Sequence, residues 1–124
     1  MIIVTWPVDI QDTCQLKYPL GYNLSTNTIF TTEIFDAWFI SLRDKQAVRR
    51  IQARIDRAED GNFGDWESVG EGVSEMRIHV GPGYRVYFVK RSIEVVVLLA
   101  GGNKSTQSKD IKAALEIALS LIHI

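Results

Sequence analysis

Five side chains in the C-terminal half of the sequence could together handle a phosphate: Arg77, His79, Arg85, Tyr87 and Lys104. Residues 73–80 alternate, with Glu75, Arg77 and His79 on one strand face and Ser74, Met76, Ile78 and Val80 on the other. Residues 84–90 alternate again, setting Tyr84, Val86 and Phe88 against Arg85, Tyr87 and Val89. Gly81-Pro82-Gly83 makes the turn between them. If the two faces coincide across this hairpin, the sheet gathers two guanidiniums, an imidazole and a phenol, with Lys104 just beyond the third strand. Arginine can clamp a phosphate bidentately, and tyrosine can stack on a base. Such a set suits RNA binding, or metal-free phosphodiester cleavage in which arginine and lysine stabilise charge developing on phosphorus. A plainer arrangement pairs Arg77 with Glu75 or other acids and uses Tyr84 and Tyr87 as core or edge aromatics. The pattern alone leaves both open.

A second basic group, Arg49, Arg50, Arg54 and Arg57, falls on a helical segment. It reads either as a backbone-binding stripe for nucleic acid or as a solvated face with Asp56 and Glu59 as partners. Other signals fail on inspection. Gly101-Gly102-Asn103-Lys104-Ser105-Thr106 has the look of a phosphate loop, but Asn103 stands where the glycine before the lysine must be. Gly70-Glu71-Gly72 lacks the third glycine of a dinucleotide fingerprint and no βαβ unit surrounds it. Two histidines, one of them at the extreme terminus, do not support a serine-type triad. A metal held by His79 with Glu75 is not expected, and the single cysteine, Cys14, excludes a disulfide framework.

Several elements must position these groups. Residues 1–27 are punctuated by Pro7, Pro19, Gly21, Asn23, Ser25 and Asn27 and read as an irregular arm with one short strand, Ile2–Thr5. Thr28–Thr32 is β-branched and aromatic, a short strand. Thr31 or Thr32 can cap a helix with Glu33 and Asp36 in its first turn and Phe35, Trp38, Phe39 and Leu42 as its apolar stripe. A second helix spans Lys45 to Asp60, with Ala47, Ile51, Ile55 and Ala58 inward and Gly61 as its stop. The short link makes the two helices an antiparallel hairpin. Residues 61–72 read as a Gly- and acid-rich connector. The two alternating strands follow, then Glu94–Ala100, whose apolar run marks a strand buried on both faces. Residues 101–105 read as a loop, and a helix starts near Thr106 with Ile111, Ala114, Leu115 and Ala118 inward. The expected fold is α+β, in the order β-α-α-β-β-β-α, a helical hairpin packed on a small antiparallel sheet.

The chain has 124 residues and formal net charge −1, the size of one domain. That near-neutrality hides segregation. Residues 43–57 carry six bases against two acids, residues 59–75 carry six acids and no base, and residues 77–112 carry seven bases against two acids. For a polyanion partner, clustering matters more than the total. No apolar run approaches the roughly 20 residues that span a membrane, and the first residues lack a basic n-region. A cytoplasmic protein without a membrane partner is expected.

Long motifs add a resemblance. Arg54-Ile55-Asp56-Arg57 with Glu59-Asp60-Gly61-Asn62-Phe63-Gly64-Asp65, then Val69–Ile78, Gly81–Phe88, and Leu98–Gln107 followed by Asp110-Ile111, resemble the addiction-module killer proteins, HigB-like members of the RelE/ParE superfamily. The resemblance covers about residues 28–118. Family members begin near the strand at Thr28, residues 1–24 match nothing in that family, and the tail 119–124 resembles a translated transposon-adapter sequence.

The resemblance implies the toxin of a type II toxin–antitoxin pair, with a RelE-like fold. In the RelE and HigB branches the toxin acts in the ribosomal A site as an endoribonuclease (an mRNA interferase), inhibiting translation. The RNA 2′-hydroxyl attacks the adjacent phosphate without a metal or other cofactor. By motif position, Arg85 matches the family's phosphate-binding arginine, Arg77 falls near a basic position on the preceding strand, and Lys104 falls where relatives carry a base after the last strand. His79 is the candidate for proton transfer. The implied partners are a helix-turn-helix, HigA-like antitoxin, the ribosome and mRNA. The C-terminal tyrosine of some relatives is absent, which leaves the general base open. The ParE branch shares the fold yet inhibits DNA gyrase, and a toxin that only binds its antitoxin is a third reading.

Overall fold

A computed structural model describes residues 27–121. The strand expected at Ile2–Thr5, most of the arm and the end of the tail lie outside the described residues. Five strands form one mixed sheet: β1 (Thr28–Thr31), β2 (Trp66–Gly70), β3 (Val73–Ile78), β4 (Tyr84–Lys90) and β5 (Val95–Asn103). Three helices flank it: α1 (Glu33–Ser41), α2 (Lys45–Glu59) and α3 (Gln107–Leu121), the last preceded by a 3-10 turn, Lys104–Thr106.

Both helices form where the pattern places them. Thr32 caps α1 by accepting from Phe35 N at 3.0 Å while its hydroxyl donates to Leu99 O at 2.6 Å, anchoring the helix start to β5. Asp44 caps α2 through Gln46 N and Ala47 N. The buried residues of α2 are Ala47, Ile51, Ile55 and Ala58. The helix ends at Glu59, and Gly61 follows with φ 92°, a conformation that suits glycine.

The sheet departs from the expected one in three ways. First, its strand order is β1-β5-β4-β3-β2, and β1 pairs parallel to β5 with Thr28 opposite Val95. The sheet is therefore mixed, not antiparallel, and β5 is flanked on both edges. Second, the connector contains β2, giving β-α-α-β-β-β-β-α. This strand lies at the sheet edge and its residues are mostly exposed, so no burial alternation marks it in the sequence. Third, β5 runs on through Gly101, Gly102 and Asn103, which had read as loop. A Cβ at Gly101 would collide with the Trp38 ring, and one at Gly102 with the Asp110 carboxylate. Both glycines sit where α1 and α3 close onto the strand.

The layers then follow. Ile29, Phe35, Ile51, Ile55, Met76, Val86, Phe88 and Leu98 pack between sheet and hairpin. Phe30, Val73, Tyr87, Val97, Leu99, Ala114 and Ala118 pack between the opposite face and α3. The helix α3 continues past residue 118, and Leu121 in its last turn is buried. Among the described residues no helix is long and apolar enough to cross a membrane.

Candidate phosphate-binding site

The β3–β4 register places Arg77 opposite Arg85 and Glu75 opposite Tyr87, so the two strand faces coincide. At this end of the sheet a cavity of about 110 Å³ is lined by Arg77, Ile78, His79, Gly83, Tyr84, Arg85 and Lys104. Lys104 reaches it because its backbone N–H donates to Gly83 O at 2.8 Å, tying the 3-10 turn to the β3–β4 turn. Asn103 caps that turn through Ser105 N.

Each cavity side chain is held differently. The Arg85 side chain is only 13% exposed, and its Nε stands 3.4 Å from Glu75 Oε2. Arg77 donates from Nε to Glu75 Oε1 at 3.2 Å and from Nη2 to Glu67 Oε1 at 2.8 Å. These two acids raise its pKa, Glu67 the more strongly. The pairing foreseen as the plainer reading, Arg77 with Glu75, thus exists, yet Arg77 still lines the cavity. His79 donates from Nε2 to Asp65 Oδ2 at 2.6 Å, and this bond holds the Asp65 carboxyl below the usual carboxylate range. In the neutral ring Nδ1 is then the free acceptor. Lys104 is exposed, and no carboxylate among the described residues pairs with it.

Tyr87 takes the plainer of its two readings, a core aromatic, and not that of a base-stacking group. Its ring is fully buried under α3, and its hydroxyl donates to Glu75 Oε2 at 3.0 Å. Burial and the neighbouring carboxylate push its pKa up. It offers no face to a base. The alternation placed Tyr87 and Arg85 on one face correctly, but α3 covers the half of that face that holds Tyr87.

The basic helix divides likewise. Arg50, Ala53, Arg54, Arg57, Ile78 and His79 line a cleft of about 310 Å³. Ile78 and His79 border both spaces, so the helix cleft and the sheet cavity meet at His79. Arg49 projects elsewhere, since consecutive helical residues are about 100° apart. Arg54 is not a free cation. Its guanidinium donates to Arg77 O, to Phe63 O at 2.8 Å and to Asp65 O at 3.3 Å. Burial lowers its pKa. Arg54 pins the connector and the end of β3, and so helps place both Asp65 and His79.

Sequence reasoning does not name three participants: Asp65 against His79, Glu67 as the further acid on Arg77, and Gln107, which donates to Glu75 Oε2 at 3.0 Å. The acid-rich stretch 59–75 is the available signal for Asp65 and Glu67, since it supplies carboxylates close in sequence to Arg77 and His79. A further groove of about 300 Å³, bordered by Val89, Leu115, Ala118 and Leu119, is mainly apolar and lies away from these groups. Among the described residues no three His, Cys, Asp or Glu side chains are grouped to hold a metal ion.

The arrangement offers cationic donors for a phosphate and an imidazole with one ring nitrogen fixed. A family profile described as "Phage derived protein Gp49-like (DUF891)" matches residues 37–122. The chain belongs to this family. Gp49-like proteins are a RelE-like family of addiction-module toxins, and membership implies an antitoxin partner. An uncharacterized protein of Haemophilus influenzae is 49% identical over 96 residues, which cover 77% of this chain and 97% of its own. The Gp49-like match includes the whole cavity and α2, and it begins inside α1.

Proposed function

We propose that this toxin is a ribosome-dependent mRNA endonuclease of the HigB-like kind. The reading is carried by Arg77, Arg85, His79 and Lys104 lining one cavity in a chain of a toxin family. Arg85 and Lys104 bind the non-bridging oxygens of the scissile phosphate, with Arg77 beside them. The RNA 2′-hydroxyl loses its proton to Nδ1 of His79, and its oxygen attacks phosphorus. The bond to the 5′-oxygen breaks and that oxygen takes up a proton, leaving a 2′,3′-cyclic phosphate and a 5′-hydroxyl. The cations stabilise the charge that grows on the phosphoryl oxygens, while Asp65 keeps the imidazole oriented and stabilises it when protonated. Arg50 and Arg57, in the adjoining cleft, hold the flanking RNA backbone, and Arg49 contributes at longer range.

The antitoxin, a helix-turn-helix partner in this reading, silences the toxin by covering the same basic surface. Its acidic or apolar segment replaces the RNA, and association slows with added salt. Expression of Arg85→Ala and Lys104→Ala variants tests the site. Both should lose growth arrest while still folding and still binding antitoxin. Undiminished arrest by both variants would remove the cavity from the mechanism. Arrest with intact mRNA and induced DNA-damage signalling would point to gyrase instead.

A further inference from the structure

The carboxylate of Glu75 has no role in the chemistry above, yet it is the most heavily bonded side chain near the cavity. It lies in the interior of β3 with 1% of its surface exposed. Burying an ionised carboxylate is costly unless donors surround it. Here they do: Tyr87 Oη and Gln107 Nε2 donate to Oε2, each at 3.0 Å, and Arg77 Nε donates to Oε1 at 3.2 Å. Arg85 Nε stands 3.4 Å from Oε2, an ion-pair contact without hydrogen-bond geometry, and is buried with no hydrogen-bond partner.

Both arginines present Nε, not a terminal nitrogen, to Glu75: Arg77 in a hydrogen bond and Arg85 in a longer ion-pair contact. A carboxylate at Nε fixes the plane of a guanidinium and leaves its Nη pair pointing onward. For Arg85 no carboxylate among the described residues pairs with that pair, and Arg85 lines the cavity. For Arg77 one Nη is engaged by Glu67, an exposed side chain that a competing anion can displace. Tyr87 and Gln107, from β4 and from the first position of α3, hold the carboxylate in turn.

We propose that Glu75 is a positioning residue that fixes the Arg77 guanidinium by a hydrogen bond and holds the buried Arg85 guanidinium by ion pairing at Nε, so that the Arg85 terminal fork faces an oxyanion in the cavity. This rests on reading the cavity as a phosphate site. The benefit is pre-organisation: an arginine already held in plane loses less side-chain freedom when it binds. Outer partners of ligating side chains contribute about tenfold or more at metal sites, and a similar factor is expected here.

The test uses the full-length protein and Glu75→Gln, which keeps size and an acceptor for Tyr87 but loses the charge. Side-chain 15N–1H spectra should show Arg77 and Arg85 Nε–H resonances that are distinct and slow to exchange. In Glu75→Gln both should merge into the fast-exchanging arginine envelope, and affinity for inorganic pyrophosphate should fall about tenfold. If Glu75→Gln does not fold, Tyr87→Phe serves, because its lost hydroxyl touches Glu75. It should shift both resonances without unfolding the protein. Unchanged Arg85 resonances in either variant would overturn the proposal, as would unchanged pyrophosphate affinity once those resonances are lost. Wild-type protein that binds no pyrophosphate, but whose arginine resonances respond to Glu75→Gln, would uphold the positioning and contradict the phosphate-site reading.

Discussion

Replacing Arg54 by alanine separates a structural cation from an RNA-binding one. The sequence pattern groups Arg54 with Arg50 and Arg57, so an RNA-binding stripe predicts similar effects from all three. The structure gives Arg54 three backbone acceptors, Phe63 O, Asp65 O and Arg77 O. Hydrogen bonds to charged groups contribute about 1.5–3 kcal/mol each and do not add fully. One acceptor here is at 3.3 Å and exposed, so a total loss of about 3 kcal/mol is reasonable. For a domain of this size each kcal/mol shifts Tm by about 4–8 °C, hence a fall of roughly 12–24 °C. Arg50→Ala and Arg57→Ala, on exposed positions, should change Tm by no more than surface substitutions do, within about 0.5 kcal/mol. Urea unfolding with unchanged slope, supported by calorimetry, measures this directly. An Arg54→Ala protein as stable as Arg50→Ala would refute the clamp.

Other outcomes follow from the same contacts. The Asp65 carboxyl should titrate by 13C NMR below the ordinary aspartate value of about 3.9, and His79→Ala should return it toward that value. Because the folded pKa is depressed, its contribution is present above the ordinary value and disappears as pH falls through the folded one; a midpoint unmoved by His79→Ala would contradict the pair. Gly102→Ala forces a methyl into the Asp110 carboxylate and should cost about 1–3 kcal/mol, read by denaturant midpoint; a neutral effect would show that α3 docks more loosely. Glu67→Gln frees one Arg77 Nη and should tighten RNA binding at low salt about two- to threefold, the scale of an exposed ion pair; weaker binding would show that Glu67 supports the site.

Legibility followed the range of the interactions. The faces of α1 and α2 were readable because Phe35 and the series Ala47, Ile51, Ile55 and Ala58 repeat within a turn or two. The facing of Arg77 and Arg85 was readable because a short turn limits the register of its hairpin. The parallel pairing of β1 with β5 was not, since it joins Thr28 to Val95 across most of the domain. The edge strand β2 lacked a buried face to announce it. In the site, alternation assigned faces but not depth, so Tyr87 could not be told from an exposed aromatic until α3 lay over it. Arg54 looked like its neighbours because its acceptors are backbone carbonyls, which no residue type advertises. Glu75 was visible as a partner of Arg77, but its contacts with Arg85, Tyr87 and Gln107 come from three other segments.

Mapping mRNA 5′ ends after induction tests the central claim most directly. Wild-type toxin should produce new 5′ ends inside translated coding regions, each bearing a 5′-hydroxyl, and Arg85→Ala at equal expression should produce none. Growth arrest by the wild type with mRNA ends identical to those of uninduced cells would contradict the account.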